Sequence, residues 1–289
     1  MSKLILGTVQ FGLQYGVNNQ KGIPSTNEIK RILDFAFKSK INILDTAEAY
    51  GTSQEIIGNY IKESNNKFKI ISKYCKHRND LPFNIIDRVK NNIDVLNVDN
   101  LYCYMFHNFN DYLSFFNLFK DDLLQLKRRG LINKIGVSLH SNEEIIEVLN
   151  NDNIDLIQFP YNLLDNFSQR REVLRKAKSK GIEVHTRSVF LQGLFFKEIN
   201  QLYGNLEYFK EYLKILINIV PEGLMNNLAL NYAFSKGYID CILIGVDNID
   251  QLKSNINCVK YQKTNNLFCK IDKIDVENKL MLNPVNWTK

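Results

Sequence analysis

The sequence lacks the features that mark several large classes of protein. No apolar run approaches the ~20 residues that a membrane-spanning helix needs, and the first run, at residues 4–6, is too short for a signal peptide. The five cysteines include no closely spaced pair, and the four histidines lack the spacing of metal ligands. We therefore expect a cytoplasmic protein with reduced thiols, no bound metal and no membrane partner.

A strong excess of one charge is also missing. The net charge is +6 over 289 residues, and the lysines are scattered along the chain instead of forming a block. This pattern is typical of solvated helix faces, so we expect no nucleic-acid partner. A hydrophobic content of 45% is ordinary for a globular protein and is enough for a sizeable core.

The chain has no Gly-x-Gly-x-x-Gly fingerprint, although it alternates short β-rich runs with amphipathic helical stretches nearly to its end. Eight β-then-α units without that fingerprint favour a closed (β/α)8 TIM barrel over a doubly wound sheet. The predicted strands lie at residues 4–7, 41–44, 68–72, 101–106, 135–137, 154–159, 182–186 and 241–244. We predict one α/β domain over 1–289, with an extra helical segment at about 195–219 and a C-terminal helix at about 272–280.

Four polar residues follow one another through the first third of the chain: Asp45, Tyr50, Lys73 and His107. Three of them end apolar runs that are predicted to be strands, and Tyr50 follows the first of these runs. The carboxyl ends of barrel strands converge on one face, so these side chains can meet around one substrate. Each has an ordinary structural explanation when taken alone. Their recurrence at successive strand ends favours a catalytic set that donates protons during carbonyl reduction.

Residues 45–54, Asp-Thr-Ala-Glu-Ala-Tyr-Gly-Thr-Ser-Gln, resemble the first signature of the aldo-keto reductase superfamily, with Gln54 where Glu is more usual. Lys73 and His107 follow in the family's order. Four further stretches resemble its cofactor-binding segments, at residues 136–138, 157–162, 192–194 and 244–255. The resemblance covers nearly the whole chain and implies an NAD(P)(H)-dependent reductase.

The resemblance also implies a role for each of the four residues. Tyr50 would be the general acid that protonates the carbonyl oxygen after hydride arrives from the nicotinamide. Lys73 would lower the pKa of the phenol, and Asp45 would hold Lys73 in place. His107 would donate a hydrogen bond to the carbonyl oxygen and share its developing charge.

The cofactor contacts that the resemblance implies are Thr8, Asp45, Ser138, Gln158, Arg187, Ser188, Gly193, Gly245, Val246, Asp247, Gln251 and Asn255. Two positions depart from the family's pattern. Leu139 follows Ser138 where many relatives have Asn, and Arg187 stands where many have an aromatic residue that stacks on the nicotinamide. A guanidinium plane can also stack on a ring, but Arg187 could instead face solvent or bind an anion on the substrate.

The loop expected near the adenosine is acidic. Asp247 and Asp250 lie in residues 244–251, and no cation occurs before Lys253. Relatives that prefer NADP usually have Lys or Arg here to hold the 2′-phosphate, whereas a carboxylate can accept from ribose hydroxyls. We therefore expect NADH or dual use rather than strict NADPH.

The candidate substrate contacts are Phe11, Tyr15, Tyr74 and Asn108. Aromatic residues beside an amide suit a sugar, which stacks an apolar face and bonds through its hydroxyls. Residues 7–16 and 187–193 resemble a bacterial subgroup linked to surface-polysaccharide and nucleotide-sugar pathways, so a sugar or nucleotide sugar is the predicted substrate. Nothing marks a dimer seam, and a monomer is expected.

Two other functions stay open. The chain could be a regulatory barrel that binds the nucleotide and senses redox state through a partner, although an intact set of four residues argues against lost catalysis. It could also be a cofactor-free isomerase or lyase, which predicts no nicotinamide binding at all.

Overall fold

The computed structural model describes residues 3–19, 21–76, 83–260 and 265–287. Eight parallel strands pair in chain order, and the first strand also pairs with the last, which closes the sheet into a barrel. The strands are β1 Leu4–Gly7, β2 Ile43–Asp45, β3 Lys69–Tyr74, β4 Cys103–Phe106, β5 Ile135–Ser138, β6 Leu156–Pro160, β7 Glu183–Arg187 and β8 Cys241–Gly245. The prediction of a (β/α)8 barrel is confirmed.

Helices follow the strands and form the outer layer. They are α1 Val9–Gly12, α2 Thr26–Lys38, α3 Ser53–Glu63, α4 Ile85–Leu96, α5 Phe109–Arg128, α6 Asn142–Val148, α7 Phe167–Ser179, α8 Lys210–Ile219, α9 Met225–Phe234, α10 Ile249–Lys260 and α11 Phe268–Ile271. Short 3₁₀ turns lie at Leu191–Phe196, Ile199–Gln201, Gly204–Phe209, Asn265–Leu267, Lys279–Leu282 and Pro284–Asn286. None of the described helices is long and apolar enough to cross a membrane.

Local signals in the sequence place the helix ends. The Ser25 side chain accepts a hydrogen bond from the backbone N–H of Glu28, so it caps the start of α2. Ile29 and Ile32 begin the apolar stripe that buries this helix against the barrel. Gly130 has a φ of +73° just after α5, a left-handed conformation in which a residue without Cβ ends a helix at low cost.

The core has two parts. A large cluster fills the layer between the strands and the surrounding helices. A smaller one, composed of Ile5, Ile43, Ile71, Cys103, Met105 and Leu156, is formed by strand residues of the opposite parity and fills the barrel interior. The barrel interior is therefore packed with side chains.

The prediction of a C-terminal helix at about 272–280 is wrong. The backbone there is extended or turning between α11 and the 3₁₀ turn Lys279–Leu282. In a helix, the N–H of Asn278 would donate to the carbonyl of Ile274. Instead, Asn278 donates to Tyr208 Oη at 2.8 Å, and the Ile274 carbonyl accepts from Asn166 Nδ2 at 2.7 Å. Partners from distant elements take the backbone groups that a helix would need.

Candidate active site

A buried ion pair forms the base of the site. Lys73 Nζ donates to Asp45 Oδ1 and, at 2.9 Å, to the carbonyl of Thr46. Gln158 Nε2 donates to the other carboxylate oxygen at 2.8 Å. The Asp45 and Lys73 side chains are each 1% exposed. Desolvation lowers the pKa of Lys73, and the charge of Asp45 opposes that change. The ammonium is thus fixed by Asp45 and the Thr46 carbonyl, and Gln158 on β6 holds the carboxylate in turn.

Tyr50 and His107 lie beside this pair. Tyr50 is in the turn between β2 and α3, and His107 directly follows β4. Their rings meet edge to face, with centroids 5.5 Å apart. Lys73 Nζ lies 5.1 Å from the centroid of the Tyr50 ring. The four residues predicted from the sequence therefore converge at the carboxyl ends of neighbouring strands.

Burial keeps both rings in their neutral forms. It lowers the pKa of His107 to about 3, with help from the charges of Lys73 and Arg187. Burial first, and then the charge of Asp45, raise the pKa of Tyr50 well above its ordinary value. The pKa of Tyr50 is raised overall because desolvation dominates, and the role of Lys73 in lowering it stays a prediction. Both side chains carry a donatable proton at neutral pH.

The turn that carries Tyr50 is held by a buried network around Glu48. This carboxylate accepts from Arg88 Nε at 2.9 Å, Asn92 Nδ2 at 2.9 Å and Tyr104 Oη at 2.6 Å. On the other side, a Cβ added to Gly12 would come within 1.9 Å of the Tyr50 carbonyl oxygen. The close approach of α1 requires glycine there, and the two contacts leave the turn little freedom.

A cavity of about 760 Å³ opens above the four residues. Among its lining residues are fourteen of those predicted from the sequence: Tyr15, Tyr50, Lys73, His107, Asn108, Ser138, Gln158, Arg187, Ser188, Gly193, Gly245, Asp247, Gln251 and Asn255. Asp45 lies beneath the cavity, bonded to two of them. Residues from the ends of all eight strands or the loops after them are thus brought together.

Four of the residues predicted to contact cofactor or substrate do not line the cavity. Thr8 is buried and donates from Oγ1 to the Asp45 carbonyl, so it joins β1 to β2. Phe11 and Val246 are buried in the core. Tyr74 packs against the Arg88 guanidinium at 4.5 Å and is also buried. It follows Lys73 on the same strand, and consecutive strand residues face opposite sides, which turns Tyr74 into the helix layer.

His140, which is not among the residues predicted from the sequence, lines the cavity. Its Nε2 accepts from an Arg187 terminal nitrogen at 2.8 Å, since a guanidinium can only donate. Burial, together with the charges of Arg187 and Arg170, lowers the pKa of His140 to about 3. Its position just beyond the end of β5 matches that of His107 beyond β4, a signal in the sequence that could have identified it.

Two buried oxygens in the lining have no hydrogen-bond partner in the described part of the chain: Gln10 Oε1 and Asn226 Oδ1. A buried acceptor without a donor is unfavourable, so a ligand with amide or hydroxyl donors suits these positions. A Cβ on Gly245 would lie 2.5 Å from Gln10 Nε2. The Gln10 side chain thus occupies the space beside Gly245, and the two free acceptors fit a dinucleotide, which carries amide and hydroxyl donors.

The end of the cavity at β8 is acidic. The Ile249 N–H, at the start of α10, donates to Glu28 Oε1 at 2.8 Å. Asp247 accepts from Asn19 Nδ2 at 3.2 Å. Lys253, the nearest cation along the chain, pairs with Asp250 at 3.2 Å and does not line the cavity. Asp247 is therefore a carboxylate of the lining at this end, whereas Glu28 does not line the cavity and pairs with Arg31 at 2.7 Å.

Two loops are joined across the cavity by a latch, which we define as the three hydrogen bonds between residues Tyr15, Val17 and Asn18 on one loop and Gln192 and Gly193 on the other. The bonds are Gln192 Nε2 to Tyr15 Oη at 2.8 Å, Val17 N to the Gln192 carbonyl at 3.0 Å, and Asn18 Nδ2 to the Gly193 carbonyl at 2.7 Å. Gln192 has a φ of +54°. Such conformations are costly for residues with a Cβ and concentrate at functional sites.

A separate cluster lies at the amino ends of β7 and β8. Glu183, His185 and Cys241 place their ligand atoms within 4.8 Å of one another. Glu183 is already bonded to Lys134 and accepts from Tyr102 Oη at 2.9 Å. The absence of a metal therefore stays a prediction.

Comparison with known proteins places the chain among reductases. A model described as the aldo/keto reductase family matches residues 3–276. The chain is 24% identical to the uncharacterized oxidoreductase YqkF of Bacillus subtilis, over 91% of this chain and 92% of that protein. It is 27% identical to the NADH-specific methylglyoxal reductase of Escherichia coli, over 76% and 79%. The holo form of aldo-keto reductase AKR11C1 from Bacillus halodurans has a TM-score of 0.76 at 23% identity, over 96% and 94%.

Proposed function

Because the chain belongs to the aldo/keto reductase family and is thus an NAD(P)H-dependent reductase, we propose that it reduces an aldehyde or ketone with Tyr50 as the general acid. One observation carries this proposal. A buried Asp45–Lys73 pair lies beside two rings that keep their protons at neutral pH, at one end of a cavity large enough for a dinucleotide and a small substrate.

NAD(P)H bound in this cavity would supply a hydride to the carbonyl carbon. Negative charge then develops on the carbonyl oxygen, and Tyr50 Oη donates its proton there. His107 donates a hydrogen bond to the same oxygen from its neutral ring. Lys73, held by Asp45 and the Thr46 carbonyl, offsets the charge that remains on the phenolate. The high pKa of Tyr50 keeps the proton in place until that charge appears.

We propose NADH as the preferred cofactor. Ser138 and Gln158 would hold the nicotinamide amide, and Gly245, Gln251 and Asn255 would hold the adenosine. Glu28 occupies the start of α10, a position suited to an anion, and Asp247 adds a second negative charge nearby. A 2′-phosphate near Asp247 would meet a repelling carboxylate, and Lys253 does not line the cavity to offset it. The E. coli relative named for NADH specificity agrees with this preference.

The substitution Asp247→Arg tests the preference. Replacing a repelling charge by an attracting one should shift the NADPH-to-NADH ratio of binding constants by at least ~10-fold toward NADPH. Asp250→Arg makes the same charge change at a residue that does not line the cavity and serves as the control. An unchanged ratio in Asp247→Arg, measured by calorimetric titration, would show that this loop does not select the cofactor.

We propose a sugar-like carbonyl as the substrate. Tyr15, Phe190 and Phe196 line the cavity together with Asn108 and Asn283. Aromatic faces with amides suit a molecule that is apolar on one side and hydroxylated at its edges. We also propose that the protein acts as a monomer in the cytoplasm. Its described cysteines are all free, in agreement with a reducing compartment, and native mass measurement tests the monomer.

The experiment that tests the function is titration with NADH and NADPH, followed by NADH consumption with a panel of aldoses and simple aldehydes. Binding together with turnover supports the reductase. Binding without turnover of any carbonyl favours a nucleotide-sensing barrel. Binding of neither nucleotide to folded protein contradicts both and points to cofactor-free chemistry.

A further inference from the structure

Arg187 is a cation of the cavity that lacks a counter-ion. Its guanidinium donates to the Leu139 carbonyl at 3.2 Å and to His140 Nε2 at 2.8 Å. Among the residues that the structure describes, no carboxylate lies within ion-pairing distance of it, although Arg170 is paired with Asp165 at 2.6 Å. Desolvation lowers the pKa of Arg187, because burial disfavours the charged form. An unpaired, half-buried charge of this kind is unfavourable unless a ligand neutralises it.

The other groups at this end of the cavity carry no net charge. Lys73 is neutralised by Asp45. His107 and His140 are neutral at physiological pH, since the pKa of each is lowered to about 3. The catalytic end therefore has one uncompensated positive charge among its described residues. A monoanion balances one charge, whereas a phosphate dianion would exceed it.

Arg187 also has donors to spare. It carries five N–H groups, of which the described contacts use those to Leu139, His140 and, at 3.5 Å, Ser188 Oγ. His140 accepts through Nε2, so its neutral ring carries the proton on Nδ1.

Stacking of the Arg187 guanidinium on the nicotinamide ring would not use these remaining N–H groups. A cation against that ring would stabilise the neutral reduced form over the positively charged oxidised form, and so oppose hydride donation.

We propose that Arg187 binds a carboxylate on the substrate, so that the enzyme prefers carbonyl compounds that carry a carboxylate. The inference rests on the proposed reductase function and adds a substrate class to it. A carboxylate held at Arg187 fixes the orientation of the molecule, with its carbonyl oxygen directed to Tyr50 and His107. Together with the sugar-like shape, this predicts a carboxylated, polyhydroxylated aldehyde or ketone.

The test compares two aldehydes of the same shape on the holoenzyme with NADH: para-formylbenzoate and its uncharged amide. Wild type should show a kcat/KM at least ~10-fold higher for the carboxylate, the scale of one charge-assisted hydrogen bond. Arg187→Gln should remove that preference, so that its kcat/KM values for the carboxylate and the amide agree within ~3-fold, and Arg187→Lys should restore part of it. Arg175→Gln, which removes an exposed charge on α7, is the control.

A binding measurement separates this inference from the reductase function. Calorimetry with NAD+ present compares para-(hydroxymethyl)benzoate with its amide and requires no turnover. Tighter carboxylate binding that Arg187→Gln abolishes supports the anion site even if neither aldehyde is reduced, in which case the reductase proposal fails alone. Equal binding of both compounds overturns the inference. An equal loss for both aldehydes, weaker NADH binding in Arg187→Gln, or preference for para-formylphenyl phosphate also overturns it.

Discussion

Burial acts in two ways on the four side chains at the base of this site. Asp45 and Lys73 stay in place because each satisfies the other in a region with 1% exposure. Tyr50 and His107 have no charged hydrogen-bond partner among the residues that the structure describes, and burial keeps them neutral and protonated. One physical cause, removal of water, thus gives a fixed charge and two proton donors within a few ångströms.

The substitution Asp45→Asn leaves Lys73 buried without its counter-ion. We expect a loss of about 3–5 kcal/mol in the free energy of unfolding at neutral pH, measured by urea denaturation. The pKa of Lys73, already lowered by burial, falls further, so the folded state holds this proton more weakly than the unfolded state. Stability should therefore partly recover as the pH approaches ~10, where both states lose the proton. A small loss that does not depend on pH would contradict a charged pair.

The location of a side chain could be predicted from the sequence where its position in a strand determines which way it points. Asp45, Lys73 and His107 could be placed because strand ends converge in a barrel. The position of Tyr74 could not be predicted in this way, because consecutive residues of β3 face opposite sides of the strand. The protonation of Tyr50 and the role of His140 also required the structure, because both depend on burial by residues distant in the chain.

At the scale of elements, the eight strands and the helices after them could be predicted from periodicity, with bounds that shift by a few residues. The C-terminal segment could not. Residues 272–280 have a helix-compatible composition, but Asn166, Tyr208 and Tyr212 take the backbone groups there. Competition from distant side chains is invisible to a local pattern. The segment therefore packs in an extended conformation against α7 and α8.

The latch between the loops after β1 and β7 should control exchange of the cofactor. Asn18→Ala removes the bond to the Gly193 carbonyl, and Tyr15→Phe removes the one that Gln192 makes. We expect each to raise the dissociation rate of NADH by at least ~3-fold, the scale of one net hydrogen bond, in stopped-flow fluorescence. Asn110→Ala, at an exposed position on α5, should leave the rate unchanged. Wild-type rates in both latch variants would mean that these loops do not gate release.

For the whole molecule, burial of neutral histidines makes stability depend on pH. The pKa values of His107 and His140 are lowered to about 3, and that of His185 to about 4. Each unfolded imidazole has a pKa near ~6.5, so the unfolded state binds more protons between these values, and stability falls as the pH drops.

We expect the free energy of unfolding to decrease by at least ~2 kcal/mol between about pH 7 and pH 5, measured by urea denaturation. His140→Gln keeps an acceptor for Arg187 and removes one titrating ring, so its loss over the same interval should be smaller. Constant or rising stability on acidification would show that these rings are not held neutral.

The measurement that tests the central claim most directly is turnover of Tyr50→Phe with NADH and a carbonyl that the wild type reduces. The ring remains for the contacts with Lys73 and His107, and only the proton donor is lost. We expect kcat to fall by at least ~100-fold with an unchanged dissociation constant for NADH, while Tyr203→Phe, at an exposed tyrosine, retains wild-type turnover. Undiminished turnover in Tyr50→Phe would remove Tyr50 from the role of general acid and contradict the mechanism.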